Sequence, residues 1–177
     1  DVERSRGLGD VYKRQGSPPF FMKTTDLSDK YPDKHFLLDF QCFSKTKSIH
    51  GQISTVFCPD DNSYVRDMLS ENGQQKILFI DGAKSKKVAL LGDNLAELAI
   101  ANNWKGIIVN GRIRDAEIIS EMEIPVFALG TCPKKSLKEN KGEKDVELSI
   151  DGLRLKPNDW VYADINGILI SDSKLDI

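Results

Sequence analysis

LLGDNLAELAIANNWKGIIVNGRIRD, residues 90–115, holds the end of one strand, a complete helix and a second strand. The apolar run before Gly92 and the run GIIV are short and continuously apolar, while NLAELAIANN between them has helical length. A strand, a helix and a strand in this order form a βαβ unit, which lays its two strands parallel and usually side by side. Their carboxyl ends then share one edge of the sheet. Gly92 and Asp93 leave the first strand at that edge, and Gly111 to Asp115 leave the second, so Asp93 and Arg114, with twenty residues between them, become neighbours.

Outward from this unit the pattern repeats. KILFIDG and PVFALG read as further buried strands, and RDAEIISEME reads as a second connecting helix of about ten residues. Towards the N-terminus, TTDLSDKYPD (24–33) reads as a short helix capped by Thr24 or Thr25 and ended by Pro32. IHGQISTVFC (49–58) alternates and is rich in β-branched residues, as a strand does. NSYVRDMLSENG reads as a helix stopping at Gly73. Beyond Thr131, KKSLKENKGEKD reads as a solvated, mobile connection. VELSI, LRLKPNDWVYAD and GILIS then read as antiparallel strands, with positive backbone angles expected at the turns Asp151-Gly152 and Asn166-Gly167. The expected fold class is α/β, one domain over residues 22–177 with a mixed, partly parallel sheet. Residues 1–21 are polar and aperiodic, and RGLGDVYKRQ looks like translated adapter sequence. They are expected to be a non-native or disordered tail, with Met22 as the native start.

The composition narrows the functional classes. The chain has 177 residues, 40% hydrophobic and 29% charged, ordinary values for one domain with its own core. Lys and Arg number 25 against 27 Asp and Glu, a net charge of -2, so no overall positive field exists to hold nucleic acid or an anionic membrane. Cys42, Cys58 and Cys132 are odd in number and lack a CxxC pair, which argues against both a disulfide framework and a zinc site. No apolar run approaches the roughly 20 residues that cross a bilayer, and no secretion signal is evident. A soluble, cytoplasmic protein is expected.

At the edge where Asp93, Arg114 and Asp115 converge, open α/β sheets bind their ligands. Arg114 has the fork geometry to grip a carboxylate in bidentate fashion, and the amides of Asp93, Asn94 and Leu95 at a helix N-terminus favour an anion. Gly92 is expected to let the backbone turn sharply and a ligand come close. Asp115 offers a hard oxygen to Mg2+ or Mn2+, and Asp93 is suited to orient a proton-carrying water. The chemistry that fits is recognition of a small 2-oxo acid and stabilisation of its enolate. The alternative is structural: Asp93 as a helix cap and Arg114-Asp115 as a solvated ion pair.

TTDLSD, HGQISTVFC, ALLGDNLAELAIANNWKGIIVNGRIRD, ALGTCPKKS and VYADINGILIS together resemble the RraA-like family, which holds the regulator of ribonuclease activity A and the class II 4-hydroxy-4-methyl-2-oxoglutarate aldolases. The resemblance covers nearly everything after Met22 and centres on an Asp, twenty residues and then Arg-Asp, met by Asp93, Arg114 and Asp115. It implies a compact α/β/β sandwich resembling the swivelling phosphohistidine domains, assembled as a homotrimer with sites near subunit contacts. It also implies that Gly92, Asp93, Asn94 and Leu95 bind pyruvate, that Arg114 binds substrate, and that Asp115 holds a divalent cation. The implied reactions are cleavage of 4-hydroxy-4-methyl-2-oxoglutarate into two pyruvates and decarboxylation of oxaloacetate, with Asp93 and Arg114 catalytic. The implied alternative is a non-catalytic protein that binds and inhibits a ribonuclease. A third possibility is a small-ligand trimer whose substrate is unrelated to either.

Two departures stand against the family pattern. FSKTKSIHG carries Ser44-Lys45 where many members have a Gly-Gly pair, so another loop shape is expected there. The sequence ends at Ile177, whereas longer aldolases add an acidic group to a neighbouring site from a C-terminal extension. Of the remaining residues, His35 and His50 are expected to be structural, Trp104 and Trp160 to fill core or interface, and Cys132 to be inert. The pair Lys134-Lys135 is open between attracting an anionic substrate and simple solvation.

Overall fold

The computed structural model describes residues 23–177; the reading of residues 1–21 as a tail and of Met22 as the start falls outside the described residues. In chain order the elements are α1 (Thr24–Lys30), β1 (His35–Leu37), β2 (Gln41–Cys42), β3 (Ile49–Phe57), α2 (Ser63–Leu69) and β4 (Ile77–Asp81). There follow β5 (Ala89–Leu91), α3 (Asp93–Ala101), β6 (Gly106–Ile113), α4 (Ala116–Ile119) and β7 (Val126–Thr131). Last come β8 (Glu143–Lys144), β9 (Leu148–Ile150), β10 (Leu153–Leu155), β11 (Trp160–Asp164) and β12 (Gly167–Ser171).

Strand β3 joins the two halves of the sandwich. Its first residues, Ile49 to Gln52, pair antiparallel with β11, and its remainder, Ile53 to Phe57, runs parallel to β4. The main sheet has the order β1-β12-β11-β3-β4-β6-β7-β2, antiparallel on one side of β3 and mostly parallel on the other.

Period-two alternation then assigns every core side chain to a layer. Leu78 and Ile80 of β4, Ile107 and Val109 of β6, and Val126 and Ala128 of β7 face Val65, Leu69, Ala96 and Ala99 of α2 and α3. The intervening Ile77, Phe79, Ile108 and Phe127 face Leu37, Val161, Ala163, Ile168 and Ile170 of the antiparallel half. On that half's other face Tyr162 and Leu169 meet Leu27 of α1. The α/β/β sandwich thus follows from strands with both faces buried, each Leu, Ile or Phe contributing about 2 kcal/mol of transfer free energy.

The βαβ unit forms as the sequence indicates, with one refinement. Strand β6 is long enough to serve two partners in succession: Gly106 to Asn110 lie beside β4, and Arg112 and Ile113 lie beside β5. Strand β5 therefore carries the sheet beyond the end of β4, so Gly92 and Arg114 leave it at the same level.

Several local expectations are corrected. The ten-residue helix read from RDAEIISEME is one turn, Ala116–Ile119, because Asp115 is left-handed (φ 58°) and Glu121 and Met122 close back on Ile118 and Ile119 in tight turns. Helix α2 ends at Leu69, four residues before Gly73. Thr24 does not cap α1; its amide and hydroxyl donate to the Asp164 carboxylate (2.9 and 2.6 Å), tying the helix to the β11–β12 hairpin. Asp151 and Gly152 have the expected positive φ (51° and 80°). The other hairpin instead turns on Ile165 and Asn166, and only Gly167, its first strand residue, has positive φ (155°).

The charged segment after Thr131 is solvated in its side chains but fixed in its backbone. Ala89 N–H donates to Lys134 O (2.8 Å), Leu137 N–H to Asp60 O (3.0 Å) and Asp145 N–H to Thr55 O (2.9 Å), while β8 adds to β3. Asp61, 1% exposed, is the anchor. Its carboxylate accepts from the Ser63 amide (2.9 Å), the Ser63 hydroxyl (2.7 Å) and the Glu139 amide (2.6 Å). Burial pushes this carboxyl upward, but the bonds from Ser63, Glu139 and Lys141 outweigh it and hold it below the ordinary 3.8.

The contribution of a depressed carboxyl is complete above its unfolded pKa and is lost as pH falls through the folded one. Asp61→Ala is expected to lower stability to urea unfolding by about 2 kcal/mol at pH 7. The gap to the unmodified protein should narrow below about pH 4.

Candidate active site

The C-terminal ends of β5 and β6, the start of α2 and the side chains of Lys135, Ser136 and Lys138 line a cavity of about 180 Å3. Gly92, Asp93, Asn94, Leu95, Arg114 and Asp115 all line it. Arg114 N–H donates to Leu91 O (2.9 Å), continuing the β5–β6 pairing one step past the strands. The left-handed backbone of Asp115 then breaks β6 and turns its carboxylate back across that junction, where Oδ2 accepts the Asp93 N–H at 3.2 Å.

Gly92 serves this contact by its size. Its φ of -132° and ψ of -167° are open to any residue, so the expected sharp turn is not what requires glycine. A β-carbon there would sit 2.7 Å from Asp115 Oδ2 and 3.5 Å from Arg114 Cγ. Space for the carboxylate is the requirement.

The structural alternative is met only in part. Gly92, not Asp93, occupies the N-cap of α3; Asp93 Oδ1 does accept the Asn94 amide (2.9 Å), satisfying one helix-end donor. Two of the three loop amides are thus engaged by the site's own carboxylates. Arg114 and Asp115 are no ion pair: the Arg114 guanidinium donates to Pro133 O (3.4 Å) and forms no salt bridge among the described residues. Half-buried and unpaired, its charge remains available to an anion.

Asn62, Arg66, Ser136 and Lys138 also line the cavity and escaped the sequence reading. Asn62, 8% exposed, donates to Leu90 O (3.2 Å) and accepts from Lys138 Nζ (3.0 Å), while its amide donates to Ser136 Oγ (2.7 Å). Arg66, four residues on, also lines the cavity. The signal was present: α2 follows β3, whose carboxyl end lies on the same ligand-binding edge. Of the pair Lys134-Lys135, only Lys135 lines the cavity.

Cys132 is half-buried, and its amide donates to Ile113 O (2.9 Å) beside β6. Burial, then Asp81 and Asp61, push the Cys58 thiol up to about 12, so it stays protonated. His35 is exposed on β1. His50 stacks on the Tyr162 ring (5.7 Å, 9°), and burial, then Lys105 and Lys174, lower its pKa. Trp104 is core, its indole N–H donating to Glu71 O (3.1 Å), and Trp160 packs half-buried against the Tyr162 cluster. No helix among the described residues is long and apolar enough to cross a membrane.

Comparison with known proteins agrees with this architecture. The chain is 48% identical over 154 residues to a Vibrio vulnificus protein provisionally named 4-hydroxy-4-methyl-2-oxoglutarate aldolase, covering 86% of this chain and 96% of that protein. It is 42% identical over 149 residues to a Thermus thermophilus protein named 4-hydroxy-4-methyl-2-oxoglutarate aldolase, with 84% and 91% covered. The solved structure of the RNA-processing inhibitor RraA from Thermus thermophilus superposes with a TM-score of 0.84 at 39% identity, covering 89% of this chain and 96% of that one. The RraA-like family model (Aldolase/RraA) matches residues 24–170, and the chain belongs to that family.

Proposed function

We propose that the chain is a divalent-metal-dependent aldolase that cleaves 4-hydroxy-4-methyl-2-oxoglutarate into two pyruvates and decarboxylates oxaloacetate through the same pyruvate enolate. The observation that carries this reading is the Arg114 guanidinium, without a salt bridge among the described residues, lining one cavity with the Asp115 carboxylate and the α3 N-terminus. The relatives named for this aldolase support it.

Mg2+ or Mn2+ fits the donors here if the substrate shares it. Among the described residues no group of three or more His, Cys, Asp or Glu side chains is placed to hold a metal. Magnesium, however, is commonly bound through one or two carboxylates completed by substrate and water. Asp115, whose Oδ2 takes the Asp93 amide, would hold the cation, with Asp93 nearby. When bound, the cation supplies Lewis-acid stabilisation of negative charge on the 2-oxo oxygen.

The chain's own groups do the rest. Arg114 binds the carboxylate next to the oxo group and fixes its plane. Asp93, with Oδ1 held by the Asn94 amide, presents Oδ2 to a water that takes the proton from the C4 hydroxyl. The C3–C4 bond breaks, its electron pair forms the enolate of one pyruvate, and the former C4 becomes the oxo carbon of the other. The proton returned to C3 completes the second pyruvate.

The test is pyruvate release from both substrates with Mg2+ or Mn2+ and again with EDTA. EDTA is expected to lower turnover at least about a hundredfold, with recovery on adding metal. A second reading is favoured by the likeness to the RNA-processing inhibitor: binding and inhibition of a ribonuclease without chemistry. Folded, metal-loaded protein that releases no pyruvate yet inhibits a ribonuclease would select it.

A further inference from the structure

One step of the proposed reaction still lacks a donor: the return of a proton to C3, the carbon that becomes the methyl group of the second pyruvate. The ionisable side chains lining the cavity are Arg66, Asp93, Arg114, Asp115, Lys135 and Lys138. A guanidinium does not give up its proton in a protein, which removes both arginines. In the proposed reading Asp115 would hold the cation and Asp93 serves the C4 hydroxyl. The Ser136 hydroxyl, also in the lining, donates to Leu137 O at 2.7 Å. Two ammonium groups remain.

Of the two, Lys138 is the one held in place. Its Nζ donates to Asn62 Oδ1 at 3.0 Å, and Asn62, 8% exposed, itself lines the cavity. The Asn62 side chain is fixed in turn by its bond to Leu90 O (3.2 Å) on β5, the strand that leads into Gly92 and Asp93. The backbone on either side of Lys138 is pinned as well. Leu137 N–H donates to Asp60 O (3.0 Å), and Glu139 N–H donates to the buried Asp61 carboxylate (2.6 Å). Ordering a lysine in this way costs rotamer entropy that a solvated lysine keeps. Lys138 forms no salt bridge among the described residues, so no carboxylate holds its proton. An ammonium carries three donors, and Asn62 takes one. Lys135 has no side-chain hydrogen bond among the described residues.

We infer that Lys138 is the proton donor to C3 and that Asn62 is the residue that positions it. The inference rests on the proposed reading, because it is the pyruvate enolate that needs this proton. The Nζ–H bond breaks as the enolate electron pair forms the C3–H bond, the 2-oxo group is restored, and Lys138 is left as the neutral amine. The amine regains a proton from solvent, matching the one that the water at Asp93 took from the C4 hydroxyl, so the cycle closes without net gain or loss. Run backwards, the same amine takes a proton from the methyl group of bound pyruvate.

The experiment follows exchange of the pyruvate methyl protons for deuterium by NMR, in D2O with Mg2+ and the full chain. The unmodified protein is expected to catalyse the exchange and EDTA to stop it. Lys138→Ala is expected to lower the rate at saturating pyruvate about a hundredfold, with pyruvate affinity by calorimetry changed less than about threefold. Lys138→Arg keeps the positive charge but cannot cycle its proton, and should recover no more than about a tenth of the rate. Asn62→Ala should lower the rate about tenfold, and this loss should vanish when residue 138 is already alanine, because Asn62 acts through Lys138.

Full exchange in Lys138→Ala, full recovery in Lys138→Arg, or a loss expressed only in pyruvate affinity would overturn Lys138 as the donor. An equal loss from Asn62→Ala with and without Lys138 would overturn Asn62 as its positioning residue. If the unmodified protein shows no metal-dependent exchange, the enolate reading falls with the inference; exchange that persists in Lys138→Ala removes this donor alone.

Discussion

Asp115→Asn is expected to lower kcat/KM for pyruvate release about a thousandfold, roughly 4 kcal/mol of transition-state stabilisation. It should also abolish the response to added metal. Asparagine is the informative substitution because residue 115 has φ 58°, a left-handed conformation that Asn tolerates nearly as well as Asp. Its amide oxygen can still accept the Asp93 N–H now bound at 3.2 Å by Oδ2. Alanine would add backbone strain and leave that amide unpaired, confusing chemistry with folding. The melting temperature of Asp115→Asn should stay within about 2 °C of the unmodified protein. Retained metal-dependent turnover in this variant would remove Asp115 from the mechanism. Gly92→Ala reaches the same carboxylate from the other side, since its β-carbon would lie 2.7 Å from Oδ2, and should reproduce part of the loss.

Arg114→Ala is expected to cost about a hundredfold in kcat/KM, close to 3 kcal/mol, expressed mainly as a higher KM for oxaloacetate. Its guanidinium has a single weak internal commitment, the Pro133 carbonyl at 3.4 Å, so removal should disturb the fold little. Arg114→Lys separates charge from geometry: it keeps the cation but loses the planar fork, and should recover no more than about a tenth of the activity. Steady-state kinetics on the three proteins, with circular dichroism as the check on folding, decides it. An unchanged KM would mean that the substrate carboxylate lies elsewhere in the cavity.

Both predictions concern residues that the sequence places together without a structure. Gly92-Asp93 and Arg114-Asp115 each follow an apolar strand of one βαβ unit, and chain connectivity alone puts the ends of such strands on one edge. The layers were legible for the same reason. Strands as apolar as ILFID and GIIV must bury both faces, and the alternating C-terminal segments must form the antiparallel half. What the motif could not convey was the role of Gly92. Its torsions are unexceptional, and only the position of the Asp115 carboxylate, 2.7 Å from where a β-carbon would sit, favours glycine there.

Other features depended on distant partners. RDAEIISEME has the composition of a longer helix, but the left-handed turn at Asp115 and the tight turns after Ile119 confine it to Ala116–Ile119. The segment after Thr131 is rich in charge, and local composition reports only that its side chains are solvated. Its backbone is fixed by Asp60, Asp61 and Thr55, residues far back in the chain.

The sequence by itself therefore determined the mixed, partly parallel sheet and the edge on which Asp93, Arg114 and Asp115 converge, through hydrophobic period and strand connectivity, while the family and the α/β/β layering came from the resemblance of its motifs. Only the tertiary structure decided what shares the cavity with them. Asn62, Arg66 and Lys138 come from a helix start and a loop far apart in the chain. They come together in the cavity lining because buried Asn62 and Asp61 bond to the segment around Lys138, and bonds of that kind leave no periodic trace in the residues that make them.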